Sequence, residues 1–301
     1  MLNYFRNKRY RRSMKQIGFI VGTGRCGTTI LAQVLNAHTH ICIPPELQII
    51  VSIGNGERLY EKYLSGAFGL YGPDEFIRLI DECCPYHLEK YFDYVNHFKR
   101  LDYPQHELGR ILTDLFDHIC YAYGKSIFLE QTPWYGQRLN VLRDLFPEMR
   151  VIHIVRDGRD VAVSFSRTPW WSKDIRSNLE QWAREATVIH DFGVNNPENY
   201  IEIRYEDLVL NPESELQKIL VLFGLPFERE MLDTGMLIDY FSMFKGDAQE
   251  FQSIENKAWN REKRRTFFSE SLYAWKKNKD YDFSIMSQNV TAALSRFRYD
   301  V

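Results

Sequence analysis

Residues 17–37, "IGFIVGTGRCGTTILAQVLNA", decide the fold of this chain. The run opens on five apolar residues, 17–21, rich in β-branched and aromatic side chains. That pattern belongs to a strand covered on both faces. Glycine closes the run, and Gly22 and Gly27 are spaced as in the phosphate loop G-x-x-x-x-G-K-[ST]. Residues 28–37 then place Ile30, Leu31, Val34 and Leu35 at helical spacing. In a strand–loop–helix unit of this kind, backbone N–H groups and the positive end of the helix dipole converge on an anion. Arg25 adds a guanidinium, and Thr28 and Thr29 add hydroxyls. The position that should hold lysine holds Thr28. That lysine normally reaches the β- and γ-phosphates of a triphosphate, so the loop suits one phosphate joined to one further tetrahedral anion. The competing reading is a tight strand–helix turn that holds no ligand.

Working outward, apolar runs at 126–129, 151–155 and 200–203 read as further strands. Helical patterns fill 137–146, the stretch within 157–166, 178–189 and 212–223, the last opened by Asn211-Pro212 with Asn211 as its cap. Strands alternating with helices predict an α/β, three-layer P-loop-like fold, a central parallel sheet flanked by helices. Residues about 56–123 are rich in Tyr, Phe and Leu with helical periodicity and read as a helical cap. With no repeat and no clear linker, residues 16–301 read as one domain behind a basic, flexible arm at 1–15.

A chain of 301 residues with 45% hydrophobic side chains can bury a real core, and a net charge of −2 does not make the whole chain a nucleic-acid binder. The five cysteines, Cys26, Cys42, Cys83, Cys84 and Cys120, contain no C-x-x-C pair. That count favours neither a disulfide framework nor a zinc site and fits a reducing, cytoplasmic compartment. No stretch reaches the ~18 apolar residues of a membrane span. The arm, with Arg6, Lys8, Arg9, Arg11, Arg12 and Lys15, has two readings: a solvated tail, or peripheral contact with a membrane surface or acidic partner.

The second motif is residues 151–164, "VIHIVRDGRDVAVS". A strand ending in Arg156 and a helix carrying Ser164 eight residues on can face one crevice. The arginine fork matches a phosphate and the serine adds a hydroxyl. This places a second phosphate away from the first loop. The alternative is a surface ion-pair turn.

Together the two motifs resemble the sulfotransferases that use 3′-phosphoadenosine 5′-phosphosulfate (PAPS). That family carries R-[SC]-G-T-[ST] after the first strand and V-x-R-[DN]-x-R-[DN]-x-x-x-S later. Here these are residues 25–29 and 155–164. The likeness continues through "NAH" at 36–38, "LEQTP" at 129–133, "LFPEMRVIHIVRD" at 145–157 and "IRYEDLVLNPE" at 203–213. It is strongest to the branch of tyrosylprotein and bacterial carbohydrate sulfotransferases. The resemblance implies transfer of a sulfuryl group from PAPS to a hydroxyl acceptor by in-line displacement, with no metal. Arg25, Cys26, Gly27, Thr28 and Thr29 would hold the 5′-phosphosulfate, and Arg156 and Ser164 the 3′-phosphate. Tyr205 and Arg265 match positions that border the nucleotide. Arg25 would also act in catalysis, and Glu46, about twenty positions after it, would be the general base. One departure stands out: Gln131 replaces a lysine that reaches the transferred group. It argues for one alternative, a non-catalytic adenosine-bisphosphate-binding relative; a P-loop kinase-like enzyme is a separate alternative, against which the missing loop lysine speaks.

Other residues carry weaker signals. Cys26 sits at a helix N-terminus, which can activate a thiol, or it merely replaces a small serine. His38 and His153 read as core histidines, and His40 and His106 as alternative bases. Trp134, Tyr135, Trp170 and Trp171 could line an acceptor pocket or simply pack.

Overall fold

The computed structural model describes residues 14–44, 46–52, 57–65, 78, 108–169, 171–233, 272–277, 279 and 281–301. Most of the N-terminal arm and of the 56–123 segment lies outside the described residues, as do Cys83, Cys84, His106, Trp170 and Arg265 with its neighbours Lys263 and Arg264.

Five strands form one sheet: β1 (Gln16–Val21), β2 (Ile41–Cys42), β3 (Ile127–Glu130), β4 (Arg150–Val155) and β5 (Tyr200–Arg204). Their order is β2-β3-β1-β4-β5 and every pairing is parallel. The register sets Phe19 beside Glu130 on one side of β1 and Val21 beside His153 on the other. Successive β1 residues face opposite cores: Phe19 and Val21 enter one cluster, Ile20 the other. Burial on both faces is why residues 17–21 are continuously apolar rather than alternating.

On the Phe19 face lie α3 (Leu108–Ala122) and the 3-10 turn Pro133–Arg138, which runs into α4 (Leu139–Leu145). Phe116 of α3 stacks on Phe128 of β3, ring centroids 4.1 Å apart and 7° from parallel. On the Ile20 face lie α1 (Thr28–Asn36), α7 (Tyr205–Leu210) and α8 (Pro212–Phe223). A third cluster joins α5 (Gly158–Ser166), α6 (Ile175–Val194) and the C-terminal α9 (Gln288–Arg296), with Trp182 edge-on to Phe297. The short α2 (Leu59–Leu64) packs its buried Leu59 against the Phe19 face.

Among the described residues the strands and helices expected outside 56–123 are present, joined by α7 and α9, which the periodicity did not show; three further differences stand out. The two-residue β2 was not anticipated, being too short to show a period. The helix expected at 137–146 begins instead as 3-10 turns at Pro133, which fixes φ and opens the turn. Asn211 does occupy the N-cap of α8, but its side chain makes no capping bond; its carbonyl accepts from the Glu215 amide at 3.2 Å.

Candidate active site

In parallel sheets ligands sit beyond the carboxyl ends of the strands, near the point where the chain changes direction across the sheet. Here β1 is that point, with β3 on one side and β4 on the other. Each strand delivers one sequence-predicted residue to this edge. Read across the sheet they are Glu46 after β2, Gln131 after β3, Arg25 after β1, Arg156 after β4 and Tyr205 after β5. Strands ~4.8 Å apart put the outermost two roughly 19 Å from each other.

The loop after β1 has three residues in the left-handed region: Gly24 at φ 74°, Arg25 at 54° and Gly27 at 104°. Such a run curls the backbone so that amides point into one concavity, a shape that suits an anion. At Gly27 the conformation and the space agree: a Cβ would stand 2.4 Å from the Tyr205 ring. Thr28 begins α1 and is buried, while Thr29 is half-buried. Cys26 is fully buried, and burial pushes its thiol up to about 11, against the help of nearby amides. A thiol so placed is packing rather than a nucleophile.

Side chains of the second motif reach the first loop. Arg25 Nε donates to Ser164 Oγ at 3.1 Å, and an Arg156 Nη donates to the Arg25 carbonyl at 3.2 Å. The Arg156 guanidinium lies 4.9 Å over the Tyr205 ring, whose edge faces Gly27. Two guanidinium groups, a serine and an aromatic face therefore occupy one crevice. The Arg-Asp-Gly-Arg-Asp turn is not a surface turn: Asp157, Arg159 and Asp160 are buried. Asp157 caps α5 by accepting from the Arg159 amide at 2.9 Å and holds the Arg159 side chain through both carboxylate oxygens. Trp275 closes over them, donating Nε1 to Asp157 at 3.1 Å and its amide to Asp160 at 2.8 Å, with Arg159 4.0 Å above its ring. From the first turn of α7, Glu206 accepts the Asp157 amide at 3.1 Å. Asp160 lies 3.5 Å from Arg156; burial raises its carboxyl and Arg156 opposes that rise. The contacts from Trp275 and Glu206 do not show in the sequence, because those residues lie far from 157–160 along the chain.

On the β2–β3 side, Glu46 is half-buried and accepts from Gln48 Nε2 at 3.0 Å. Gln131 is only 2% exposed, and its Oε1 has no hydrogen-bond partner among the described residues. Trp134 and Phe165 press against Gly24, and Trp171 stacks between them, 5.8 Å from Trp134 and 4.6 Å from Phe165. Tyr135 turns inward and is fully buried, so it lines no pocket.

A sequence profile of the Sulfotransferase family matches residues 19–229. The chain belongs to the sulfotransferase family. The nodulation protein NoeE of Sinorhizobium fredii is 24% identical over 69% of this chain and 50% of its own length. Protein-tyrosine sulfotransferase A of Caenorhabditis elegans is 22% identical over 73% of this chain and 53% of its own. The chain thus spans about half the length of these two relatives. In fold it is similar to the sulfotransferase domain of the Synechococcus PCC 7002 olefin synthase, with TM-score 0.63 and 20% identity over 98% of this chain and all of that one. A sulfotransferase domain from the curacin biosynthetic pathway gives TM-score 0.61 at 19% identity, over 97% of this chain and all of that one.

The remaining candidates of this sulfotransferase-family chain fall elsewhere. His40 is exposed, and its carbonyl accepts the amides of Ser126 and Ile127 at the amino end of β3. It stands at the opposite edge of the sheet from the loop and is no base. His38 and His153 are fully buried, as expected of core histidines. No helix among the described residues is long and apolar enough to cross a membrane.

Proposed function

We propose that this chain transfers a sulfuryl group from PAPS to a hydroxyl-bearing acceptor. The observation that carries the reading is the joined crevice: a left-handed anion loop whose arginine hydrogen-bonds Ser164, beside Arg156 on Tyr205. The donor set fits the nucleotide. The curled loop and Thr28–Thr29 suit one phosphosulfate, and Arg156 with Ser164 suits a separate phosphate. Tyr205, 7% exposed and packed in the core, supports Arg156 from below.

Bound PAPS would supply a sulfuryl group on a good leaving phosphate. The protein's part is positioning and charge stabilisation. The loop amides and Arg25 oppose the charge that builds on the leaving oxygen. Glu46 removes the proton of the acceptor hydroxyl as its oxygen bonds to sulfur and the sulfur–oxygen bond to the 5′-phosphate breaks. The electron pair stays on that phosphate, leaving 3′,5′-adenosine bisphosphate. A general base of this kind contributes ~10²–10⁴ in rate. Because Ser164 and Arg25 share a hydrogen bond, a phosphate taken by one is felt by the other.

A second reading, a non-catalytic relative, rests on Gln131 alone, whose neutral amide cannot replace the lysine charge. Labelled sulfuryl transfer from PAPS to a panel of sugars, tyrosyl peptides and phenols separates the two. Transfer that is lost in Glu46→Ala, with adenosine bisphosphate still bound, supports catalysis. Binding without transfer to any acceptor supports the second reading.

A further inference from the structure

Among the described residues between β2 and α2, the segment that carries Glu46 has no regular secondary structure, yet it is held closely. The Leu47 amide donates to Glu130 Oε1 at 3.0 Å. The Ile50 amide donates to the Tyr135 hydroxyl at 2.9 Å. The Gln48 carbonyl accepts from Arg58 Nε at 2.8 Å, and Ser52 donates its amide to Glu61 at 3.0 Å. Of these partners Glu130 has the most unusual setting. It ends β3, is 0% exposed, and its second oxygen takes the Thr132 amide at 2.7 Å. The Thr132 hydroxyl also donates to the first oxygen, at 2.7 Å.

Glu130 therefore faces the Thr132 hydroxyl and the backbone amides of Thr132, Leu47 and Gln48, and no cation among these hydrogen bonds. A buried carboxylate without a countercharge is costly; here burial lifts its pKa to about 7 even with these donors lowering it. A glutamine of the same shape would set an NH₂ group against backbone N–H donors. The site calls for an oxygen-only acceptor at a strand end, joining two pieces of chain 83 residues apart. One piece carries Glu46, one residue before Leu47. The other is the 130–132 turn, which carries Gln131 with its unpartnered oxygen.

We propose that Glu130 is a positioning residue for the transfer reaction: its carboxylate pins the Leu47 amide to the Thr132 turn and so fixes Glu46 and Gln131 relative to each other. This rests on Glu46 acting as the base. Displacement of a catalytic group by ~1 Å costs on the order of 10²-fold in rate, and Glu130→Gln should lower kcat by that amount. The affinity for adenosine 3′,5′-bisphosphate should stay within about twofold, since Glu130 touches no part of the nucleotide crevice.

The test uses the full chain in three variants, Glu130→Gln, Glu46→Ala and the double substitution. It reads kcat for the best acceptor of the panel, calorimetric binding of adenosine 3′,5′-bisphosphate, and hydrogen exchange at the Leu47 amide. The proposal expects faster Leu47 exchange in Glu130→Gln, retained nucleotide binding, and a double variant no slower than Glu46→Ala, because groups acting as one unit are not additive. Unchanged Leu47 exchange, or losses that multiply in the double variant, overturns it. Full turnover in Glu46→Ala overturns the base assignment and the part in catalysis given to Glu130; Leu47 exchange then decides separately whether Glu130 holds the segment. Should Glu130→Gln fail to fold, Tyr135→Phe loosens the same segment at Ile50 and must lower kcat with binding retained.

Discussion

At the scale of single residues, Gly27 shows how tightly the loop is specified. Its φ of 104° is a conformation L side chains rarely adopt, and the Tyr205 ring stands where a Cβ would go. Gly27→Ala should cost about 1–3 kcal/mol of stability and weaken adenosine bisphosphate binding at least ~10-fold, roughly 1.4 kcal/mol. Thermal melts and calorimetry check both, and an unchanged nucleotide affinity would remove the loop from the binding site. The glycine and Arg25 were legible in the sequence because a strand–glycine–helix pattern dictates backbone geometry locally. Glu130 was not. In "LEQTP" it is one polar residue at a strand end, and only a contact 83 residues away shows what it does. Trp275 is a similar case: its bonds to Asp157 and Asp160 span 118 and 115 residues.

At the scale of elements, β1, β3, β4 and β5 could be read from their apolar runs, whereas β2 has only Ile41 and Cys42 and no detectable period. Its placement at the sheet's edge matters all the same, because it carries the chain to Glu46. The 3-10 start at Pro133 has a similar effect on the other side: it turns Tyr135 inward, where its hydroxyl accepts the Ile50 amide. The α3–β3 contact anchors this region. Phe116 and Phe128 are both fully buried and stacked. Phe116→Ala should destabilise the fold by about 3–5 kcal/mol, measured by urea denaturation. A loss below ~1 kcal/mol would mean that α3 does not hold the sheet.

At the scale of the whole molecule, buried ionisable groups give stability a pH dependence whose sign differs from site to site. On the sheet's β4–β5 side, Glu202 accepts from His153 and His190 at 3.1 and 2.9 Å. Burial alone would raise Glu202, but the two histidines hold it down to about 2. Burial keeps His153 below its ordinary value despite Glu202. Both groups have folded pKa values below their unfolded ones, so both lend stability that is lost on acidification. The loss begins as pH falls below ~6.5 for His153 and below the ordinary 4.5 for Glu202. Glu130 has the opposite sign: raised from 4.5 to about 7, it lends stability at low pH that is lost as pH rises through about 7. Unfolding free energies from pH 2 to 8 should therefore decline on both sides. Glu202→Gln should flatten the acid arm and Glu130→Gln the neutral-to-alkaline one. An acid arm unaltered by Glu202→Gln would contradict the assignment.

The central claim is that two motifs, 131 residues apart at Arg25 and Arg156, grip opposite ends of one nucleotide. Calorimetric titration of the chain with adenosine 3′,5′-bisphosphate and with adenosine 5′-monophosphate tests it most directly. The account predicts that the bisphosphate binds at least ~10-fold more tightly, and that Arg156→Ala abolishes this preference at a cost of about 1.5–3 kcal/mol, the worth of a charged hydrogen bond. Equal affinities for the two nucleotides, or a 3′-phosphate preference that survives Arg156→Ala, would contradict it.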